Sequence, residues 1–234
     1  ISLKGDYNNV SGNIVDKNNE FGISLSFSDY NTISGNTANN NEQSGIYLYS
    51  SENNGISGNT ANNNRISGVR LYKSDNNIIL DNNANNNRRY GISSDDINNN
   101  NITGNSANNN DKAGIYLYDS KNTFLSGNTA NYNNDYGITL SSSDHNTISG
   151  NTANNNSIGI TLFSSDYNTV SKNSLQGNSK CIMEENCIGN IFQDNEYCDY
   201  GEGIPFEVIL LISTIGGGGV IGVATLLLLI RRRK

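Results

Sequence analysis

Aliphatic residues recur along this chain at a nearly constant interval and are separated by polar stretches. Most of them precede a Ser-Gly or Thr-Gly pair, and they stand at Val10, Ile33, Ile56, Ile79, Ile102, Leu125, Ile148 and Val170. Successive members are 23 residues apart, except for the last pair, which are 22 apart. Self-similarity at a fixed interval predicts a repeat architecture in which each unit packs on its neighbours.

A column of glycines follows the same interval and precedes a predicted strand in each repeat. It comprises Gly22, Gly45, Gly68, Gly91, Gly114, Gly137 and Gly159. An apolar residue follows each glycine, and in most repeats a leucine stands two positions later, as in Ile46 and Leu48. Apolar residues at every second position predict a β-strand with one buried face.

Asparagine forms three further columns that run through almost every repeat. Their members are Asn13, Asn36, Asn59, Asn82, Asn105, Asn128, Asn151, Asn173 and Asn195; Asn18, Asn41, Asn64, Asn87, Asn110, Asn133, Asn156 and Asn178; and Asn8, Asn31, Asn54, Asn77, Asn100, Asn146, Asn168 and Asn190, interrupted by Thr123. Asparagine suits tight turns, and identical side chains that stack can bond each other in ladders. Either role is structural.

These short strands between Gly and Asn turns predict an all-β fold, a single-stranded parallel β-helix of about eight coils of 22–23 residues. Leucine-rich repeats need a spacing that is absent here, and helical repeats are usually longer. The segments NTISGNTANNN (residues 31–41) and SGIYLYSS (residues 44–51) resemble the right-handed β-helix repeats of the pectin-lyase-like superfamily. Within that superfamily they resemble the β-helix of the periplasmic copper-binding accessory protein of nitrous-oxide reductase and the related carbohydrate-binding and sugar-hydrolase domains.

The resemblance covers residues 1 to about 196 and implies the fold more than the function, because repeat positions are scaffold positions. Ile1-Ser2-Leu3 matches Ile23-Ser24-Leu25, so residue 1 falls within a repeat. This predicts a fragment or a processed product with further coils upstream. Residues 1–206 hold 11 Lys and Arg against 21 Asp and Glu, and an acidic body without a basic stripe argues against nucleic acid as a partner.

The C-terminal segment predicts a membrane anchor. After a linker at residues 197–207, residues 208–230 carry no charge and would form a helix of about 35 Å, and residues 231–234 are all basic. The positive-inside rule then predicts a cytoplasmic C-terminus and a β-helix on the cell surface. Linker, apolar run and basic tail together resemble C-terminal surface-sorting signals, in which a protease-transpeptidase exchanges the segment for a lipid.

Three cysteines, Cys181, Cys187 and Cys198, fall in the last repeat, where a cap is expected near residues 176–198. A β-helix end needs such a cap, and outside the cell a disulfide between two of the three is the expected use of the thiols. The alternative is a soft-metal site that includes Met183, although no His lies nearby in the sequence.

Two groups of residues are candidates for binding or chemistry on the strand after the Gly column. Outward positions carry Tyr47, Tyr49, Tyr72, Tyr116 and Tyr118, which would stack on sugar rings or simply stabilise the sheet through cross-strand pairs. One repeat departs from the pattern and carries Asp95 and Asp96, with Arg70 and Asp119 in adjacent coils. Two carboxyl groups in reach of each other would allow glycoside cleavage or weak Ca²⁺ binding; a solvated irregular coil is the alternative.

From the sequence we expect a membrane-anchored surface module that is structural or binds a glycan or a surface protein, without a cofactor, rather than an enzyme. The first alternative is a polysaccharide hydrolase or lyase that uses Asp95, Asp96, Asp119 and Arg70. The second is a copper-binding accessory protein, against which the single His and single Met argue.

Overall fold

The structure, a computed structural model, describes residues 1–196 of the 234-residue chain. The predicted linker, membrane span and basic tail lie outside the described residues, as does Cys198. Within residues 1–196, no helix is long and apolar enough to cross a membrane.

Two parallel sheets of nine strands each form the described part of the molecule. The odd-numbered strands form sheet 1: β1 (Ser2–Leu3), β3 (Ile23–Ser26), β5 (Ile46–Tyr49), β7 (Ser67–Tyr72), β9 (Tyr90–Asn98), β11 (Ala113–Lys121), β13 (Tyr136–Ser141), β15 (Ile158–Phe163) and β17 (Lys180–Glu185). The even-numbered strands form sheet 2: β2 (Asn9–Ser11), β4 (Thr32–Ser34), β6 (Gly55–Ser57), β8 (Ile78–Leu80), β10 (Asn101–Thr103), β12 (Phe124–Ser126), β14 (Thr147–Ser149), β16 (Thr169–Ser171) and β18 (Ile191–Gln193).

The chain alternates between the two sheets, so each strand pairs with the strand one coil away rather than with its neighbour in sequence. Ile33 pairs with Ile56, a step of 23 residues, and Ile148 pairs with Val170, a step of 22. A third face consists of single-residue parallel bridges, the first of which joins Ile14 to Thr37. The predicted parallel β-helix is therefore confirmed for the described residues, and it has three faces.

Each face contributes its own kind of inward side chain to one continuous core. Sheet 1 supplies Ile and Leu, as at Ile46 and Leu48, and sheet 2 supplies Ile33 and its counterparts, which are fully buried except at the two ends of the stack. The third face supplies alanines, replaced by Val15 and Leu175 in the end coils, because its inward side chains meet the glycine column of sheet 1. A Cβ on Gly91 would lie 2.6 Å from the Ala107 Cβ and 2.7 Å from the Gly114 carbonyl oxygen, so only glycine fits there.

The asparagine columns form ladders. In the column of Asn105, the backbone N–H and the side-chain Nδ2–H both donate to Oδ1 of Asn128 in the next coil, at 2.9 and 3.0 Å. Asn105 is fully buried, as are most members of the three columns. The side chains thus satisfy backbone donors at corners where no strand partner is available.

The ladder asparagines do not take the left-handed conformation of the turns themselves. Instead, the residue immediately before each ladder position has a positive φ, as in Asn40 (φ 57°) before Asn41 and Gly35 (φ 62°) before Asn36. This division of roles resolves the two alternatives that the sequence left open. The turn residue reverses the chain, and the ladder residue then points inward and bonds the coil above and below.

Two features of the last described coil bear on the predicted cap. Strands β17 and β18 continue both sheets and pair with β15 and β16, so the repeat extends to residue 193. Cys181 stands in register with Gly159 and is disulfide-bonded. Cys187 carries a free thiol, and its Sγ accepts the backbone N–H of Ser165 at 3.4 Å.

Candidate functional site

The outer surface of sheet 1, hereafter the wall, carries two columns of outward side chains. The first column comprises Ser24, Tyr47, Arg70, Ser93, Tyr116, Thr139 and Thr161, of which Ser93, Thr139 and Thr161 are buried. The second column comprises Ser26, Tyr49, Tyr72, Asp95, Tyr118, Ser141 and Phe163. All five predicted tyrosines therefore lie on one surface, on both sides of the coil that contains Asp95.

The aromatic rings of the wall pack on one another. Tyr49 and Tyr72 stack with centroids 5.6 Å apart and ring planes inclined by 13°. Tyr47 and Tyr116 stack diagonally on Phe21 and Tyr90, respectively, at 4.4 and 4.8 Å. Because this packing already holds the rings in place, they lose little conformational entropy when a ligand binds. The same packing is the cross-strand stabilisation that the sequence predicted as the alternative role of the tyrosines.

Two cations lie against these rings. The Arg70 guanidinium is 5.7 Å from the Tyr47 ring centroid, and the Lys73 ammonium is 5.4 Å from that of Tyr72. Burial raises the pKa of the Tyr47 phenol against the opposing effect of Arg70, and burial also raises the pKa of Tyr116. Both phenols therefore stay protonated at neutral pH and present hydrogen-bond donors.

The structure brings the predicted charged residues together at the centre of the wall. Asp95 stands in register between Tyr72 and Tyr118 in the second column. Asp96 and Asp119 lie within β9 and β11, at the left-handed corner of each coil, with φ of 56° and 45°. They are exposed and belong to consecutive coils, whose strands are about 4.8 Å apart.

Asp95 differs electrostatically from the other two carboxylates. Partial burial raises the pKa of Asp95, and the negative charges of Asp96 and Asp119 raise it further, while Arg70 and Lys73 oppose the shift. Asp95 thus interacts with the charges of Arg70, Lys73, Asp96 and Asp119. The carboxyl group of Asp95 is thus more easily protonated than an ordinary aspartate.

The coil of Asp95 is also unusual inside the core. Ser94 takes the place of the leucine found in the adjacent coils at Leu71 and Leu117, and it is 2% exposed. Three positions later, Ile97 takes the place of the buried serine represented by Ser120. The exchange moves the apolar side chain of this coil from the inward position of Ser94 to that of Ile97. The Ser94 Oγ lies 3.2 Å from the Ser120 Oγ of the next coil.

This exchange was not predicted, although the signal was in the sequence. The serines at Ser28, Ser51, Ser74, Ser120, Ser143 and Ser165 form a fourth buried column with the common interval, and Ile97 is its exception. Strands β9 and β11 run on past the corner in this region, and Ser120 pairs with Ile97. The coil that carries Asp95 and Asp96 is therefore ordered strand rather than an irregular loop.

Carboxylates elsewhere on the surface also have structural partners. Asp29 Oδ1 accepts the backbone N–H of Glu52 at 2.7 Å, and Asp75 Oδ1 accepts that of Asn98 at 2.7 Å. Within residues 1–196, no group of three or more His, Cys, Asp or Glu side chains is placed to hold a metal ion. A shallow depression lined by Lys4, Gly5, Asp6, Ser26, Phe27 and Tyr49 lies at the first coils and does not include Asp95.

The family model described as "Right handed beta helix region" matches residues 1–95 and 67–197 of this chain. The chain therefore belongs to that family of right-handed β-helix proteins. A comparison with curated protein sequences gives no match.

Solved structures with the same fold include proteins that act on polysaccharides. A variant of the periplasmic alginate epimerase AlgG superimposes with a TM-score of 0.70 at 20% identity over 80% of this chain and 51% of that one. The A-module of the mannuronan C-5 epimerase AlgE6 of Azotobacter vinelandii gives 0.61 at 13% identity, over 76% and 61%. The enzymatically active domain of tailspike protein 2 of bacteriophage CBA120 gives 0.66 at 12%, over 82% and 38%. At these identities the likeness shows the shared fold.

Proposed function

We propose that this protein binds a polysaccharide through the wall of sheet 1. The observation that carries the proposal is the row of tyrosines on both sides of Asp95, in which Tyr49 stacks on Tyr72 and Tyr116 stacks on Tyr90. Aromatic faces supply apolar contact to the C–H faces of sugars, and phenols, guanidinium and carboxylate supply hydrogen bonds to hydroxyls. The similarity to an alginate epimerase and a phage tailspike supports the same class of ligand.

The test is a binding assay with the full chain in a detergent that has no sugar headgroup. A panel of immobilised polysaccharides is probed with the wild type, with Tyr116→Ala and with Tyr118→Ala. Tyr132→Ala serves as the matched control, because Tyr132 is an exposed tyrosine at the corner before β13, outside the two outward columns of the wall. We expect the wall variants to weaken binding about tenfold and the control to leave it unchanged. Equal binding by all variants would contradict the proposal.

We also propose that the β-helix is displayed on the cell surface by the apolar segment at residues 208–230, with the basic tail inside. Protease treatment of intact cells should degrade the β-helix and spare the tail. Replacement of residues 231–234 by glutamates should reduce this orientation. Recovery of the protein in the aqueous fraction after cell lysis would contradict the anchor.

A second candidate function is cleavage of the bound polysaccharide, which the raised pKa of Asp95 favours. A protonated Asp95 would donate its proton to the leaving glycosidic oxygen, and Asp96 or Asp119 would accept a proton from the water that attacks the anomeric carbon, with Arg70 as a further polar contact. Released oligosaccharides, detected by mass spectrometry, should then disappear with Asp95→Asn and with Asp119→Asn. Asp111→Asn, at the other edge of the wall, is the control. Absence of products from every polysaccharide that binds would leave the binding function alone.

Ca²⁺ at the carboxylates of the wall and copper at the Cys187 thiol are the alternatives to the expectation that the protein has no cofactor. Elemental analysis of the purified full chain tests both. Stoichiometric calcium that falls with Asp96→Asn, or stoichiometric copper that falls with Cys187→Ser, would establish the respective site.

A further inference from the structure

The second outward column of the wall is an aromatic ladder with one rung missing. Tyr49 and Tyr72 occupy consecutive coils and stack face to face, with centroids 5.6 Å apart. Tyr118 occupies the same column two coils beyond Tyr72, and Asp95 stands in register with both. A short side chain thus separates two tyrosines where a third ring would continue the stack.

The gap between Tyr72 and Tyr118 has the size of one sugar ring. Two coil steps place their backbones about 9.6 Å apart. Two van der Waals contacts of about 3.5–4.0 Å each leave room for the thickness of one puckered pyranose between the two aromatic side chains. One face of Tyr72 is covered by Tyr49, so a stacked sugar would use the other face.

The floor and rim of the gap carry hydrogen-bonding groups that suit sugar hydroxyls. Asp95 lies at the floor, and its carboxylate oxygens accept hydrogen bonds. Arg70 interacts with Asp95 and belongs to the neighbouring column. The Lys73 ammonium lies over the Tyr72 ring at 5.4 Å on a flexible stem, so it can move to the rim and donate to a hydroxyl.

The charges around the gap select the kind of sugar. Three carboxylates, those of Asp95, Asp96 and Asp119, interact here, against the two cations Arg70 and Lys73. A uronate would bring a further negative charge beside Asp95, whereas a neutral pyranose offers only hydroxyl donors and acceptors. The surroundings therefore favour a neutral sugar over an acidic one.

We infer that one neutral pyranose unit of a bound polysaccharide inserts between Tyr72 and Tyr118 and donates hydrogen bonds from adjacent hydroxyls to Asp95. This inference rests on the proposed polysaccharide binding and assigns the site at which a sugar unit is recognised. The remaining tyrosines of the wall then contact neighbouring units along the rod.

The decisive variant is Asp95→Tyr, which supplies the missing rung and fills the gap. Its matched control is Ser26→Tyr, which adds a ring to the same column beyond Tyr49, outside the gap. Tyr on an exposed strand position is favourable for folding, and circular dichroism with thermal unfolding checks that both variants keep the β-helix. The probes are mannotetraose, cellotetraose and tetramannuronate, titrated by calorimetry into the full chain in sugar-free detergent.

We expect a neutral tetrasaccharide to bind the wild type more tightly than tetramannuronate does. Asp95→Tyr should weaken its binding about tenfold or more, and Ser26→Tyr should not change it. If Asp95→Tyr binds as the wild type while Tyr116→Ala binds less, the gap is not the site, although the wall still binds sugar. Tighter binding of tetramannuronate would overturn the selection for neutral sugars. Absence of binding to all three probes and to the polysaccharide panel would overturn both proposals.

Discussion

At the scale of single residues, this fold depends on polar side chains that are buried and fully bonded. Asn105 accepts two hydrogen bonds from Asn82, through the backbone N–H and Nδ2–H, and donates its own pair to Asn128. Its Nδ2 also donates to the carbonyl oxygen of Ile79 at 2.8 Å. Each asparagine therefore substitutes for the strand partner that the corner lacks, and an asparagine-rich composition gives an ordered core instead of a disordered chain.

Truncation of a ladder residue should expose this dependence. Asn105→Ala removes the acceptor of the buried Asn82 N–H, and an unsatisfied buried donor costs about 1–3 kcal/mol. We expect a loss of at least about 2 kcal/mol in the free energy of unfolding, measured by urea denaturation.

Thr123 already interrupts the third ladder and leaves Asn100 without the usual acceptor, so Thr123→Asn should add about 1 kcal/mol to the free energy of unfolding. A destabilised Thr123→Asn variant would contradict this account of the ladders.

The titration of Asp95 gives a second prediction at this scale. Because its pKa is raised in the folded protein, the folded state holds the proton more strongly than the unfolded state does. Stability from this group is therefore present at acidic pH, below the pKa of the unfolded chain, and is lost as the pH rises through the raised pKa. Asp95→Asn should stabilise the protein at pH 7, by less than about 0.5 kcal/mol, because the side chain is only partly buried. The gain should vanish at low pH in thermal unfolding, and a gain that is independent of pH would exclude this cause.

At the scale of the element, the strands of sheet 1 are shaped by what lies behind them. The glycine column does not provide turns; its members lie where sheet 1 faces the alanines of the third face and the carbonyl oxygens of adjacent coils. Small residues on both sides let the third face approach sheet 1. The alternation of Ile and Leu then fills the wider part of the cross-section.

Substitution within the glycine column should therefore be severe. Gly91→Ala places a Cβ 2.6 Å from Ala107 and less than 3 Å from two carbonyl oxygens, which backbone shifts must relieve. We expect a loss of about 3 kcal/mol or more in the free energy of unfolding. Gly55→Ala is the matched control, because nothing lies within 4 Å of a Cβ at that position. It should be neutral or stabilise by about 0.4–1 kcal/mol. Similar losses at both glycines would argue against the steric explanation.

The exchanged core residues behind Asp95 give a prediction about coupling. Ile97→Ser alone removes a fully buried side chain and should lower the free energy of unfolding by about 3 kcal/mol or more. Ser94→Leu alone should overpack the core and lower the free energy of unfolding by about 1–3 kcal/mol. The double variant restores the pattern of the other coils, and we expect a cost below about 1.5 kcal/mol. Urea denaturation of all four proteins forms a double-mutant cycle. Additive losses would show that the two positions do not compensate each other.

At the scale of the whole molecule, the described part is a stack of nearly identical coils in which contacts join each coil to the next. Every strand pair links residues that are 22 or 23 positions apart, whatever the sheet. Stability in such an array is close to a sum over coils and their interfaces. The wall is continuous along the stack, so a long ligand can meet several coils while the central charged residues meet one part of it.

Removal of one coil tests this additivity. Deletion of residues 32–54 joins Asn31 to Gly55, which stands in register with Thr32, so the two sheets keep their pairing. We expect a folded β-helix with a lower unfolding midpoint and an unchanged gap between Tyr72 and Tyr118. Deletion of residues 32–53 is the control, because it shifts the next strand by one residue and turns Ile56 outward. Circular dichroism and thermal unfolding compare the two, and equal stability would contradict the role of register.

The sequence by itself determined the coil length, the inward columns and the ladders. A fixed interval places identical residues above one another, and strand alternation decides which face is buried. It also indicated the five tyrosines of the wall and its charged residues Arg70, Asp95, Asp96 and Asp119.

Only the tertiary structure decided how these residues meet. It separated the left-handed turn residue from the ladder residue behind it, placed Asp96 and Asp119 at corners, and revealed the compensation between Ser94 and Ile97. It also showed that Tyr72 and Tyr118 flank Asp95 in one column. Sequence intervals fix the order of residues along a column, whereas burial, ring stacking and shifts of pKa depend on side chains from several coils that only the folded stack brings together.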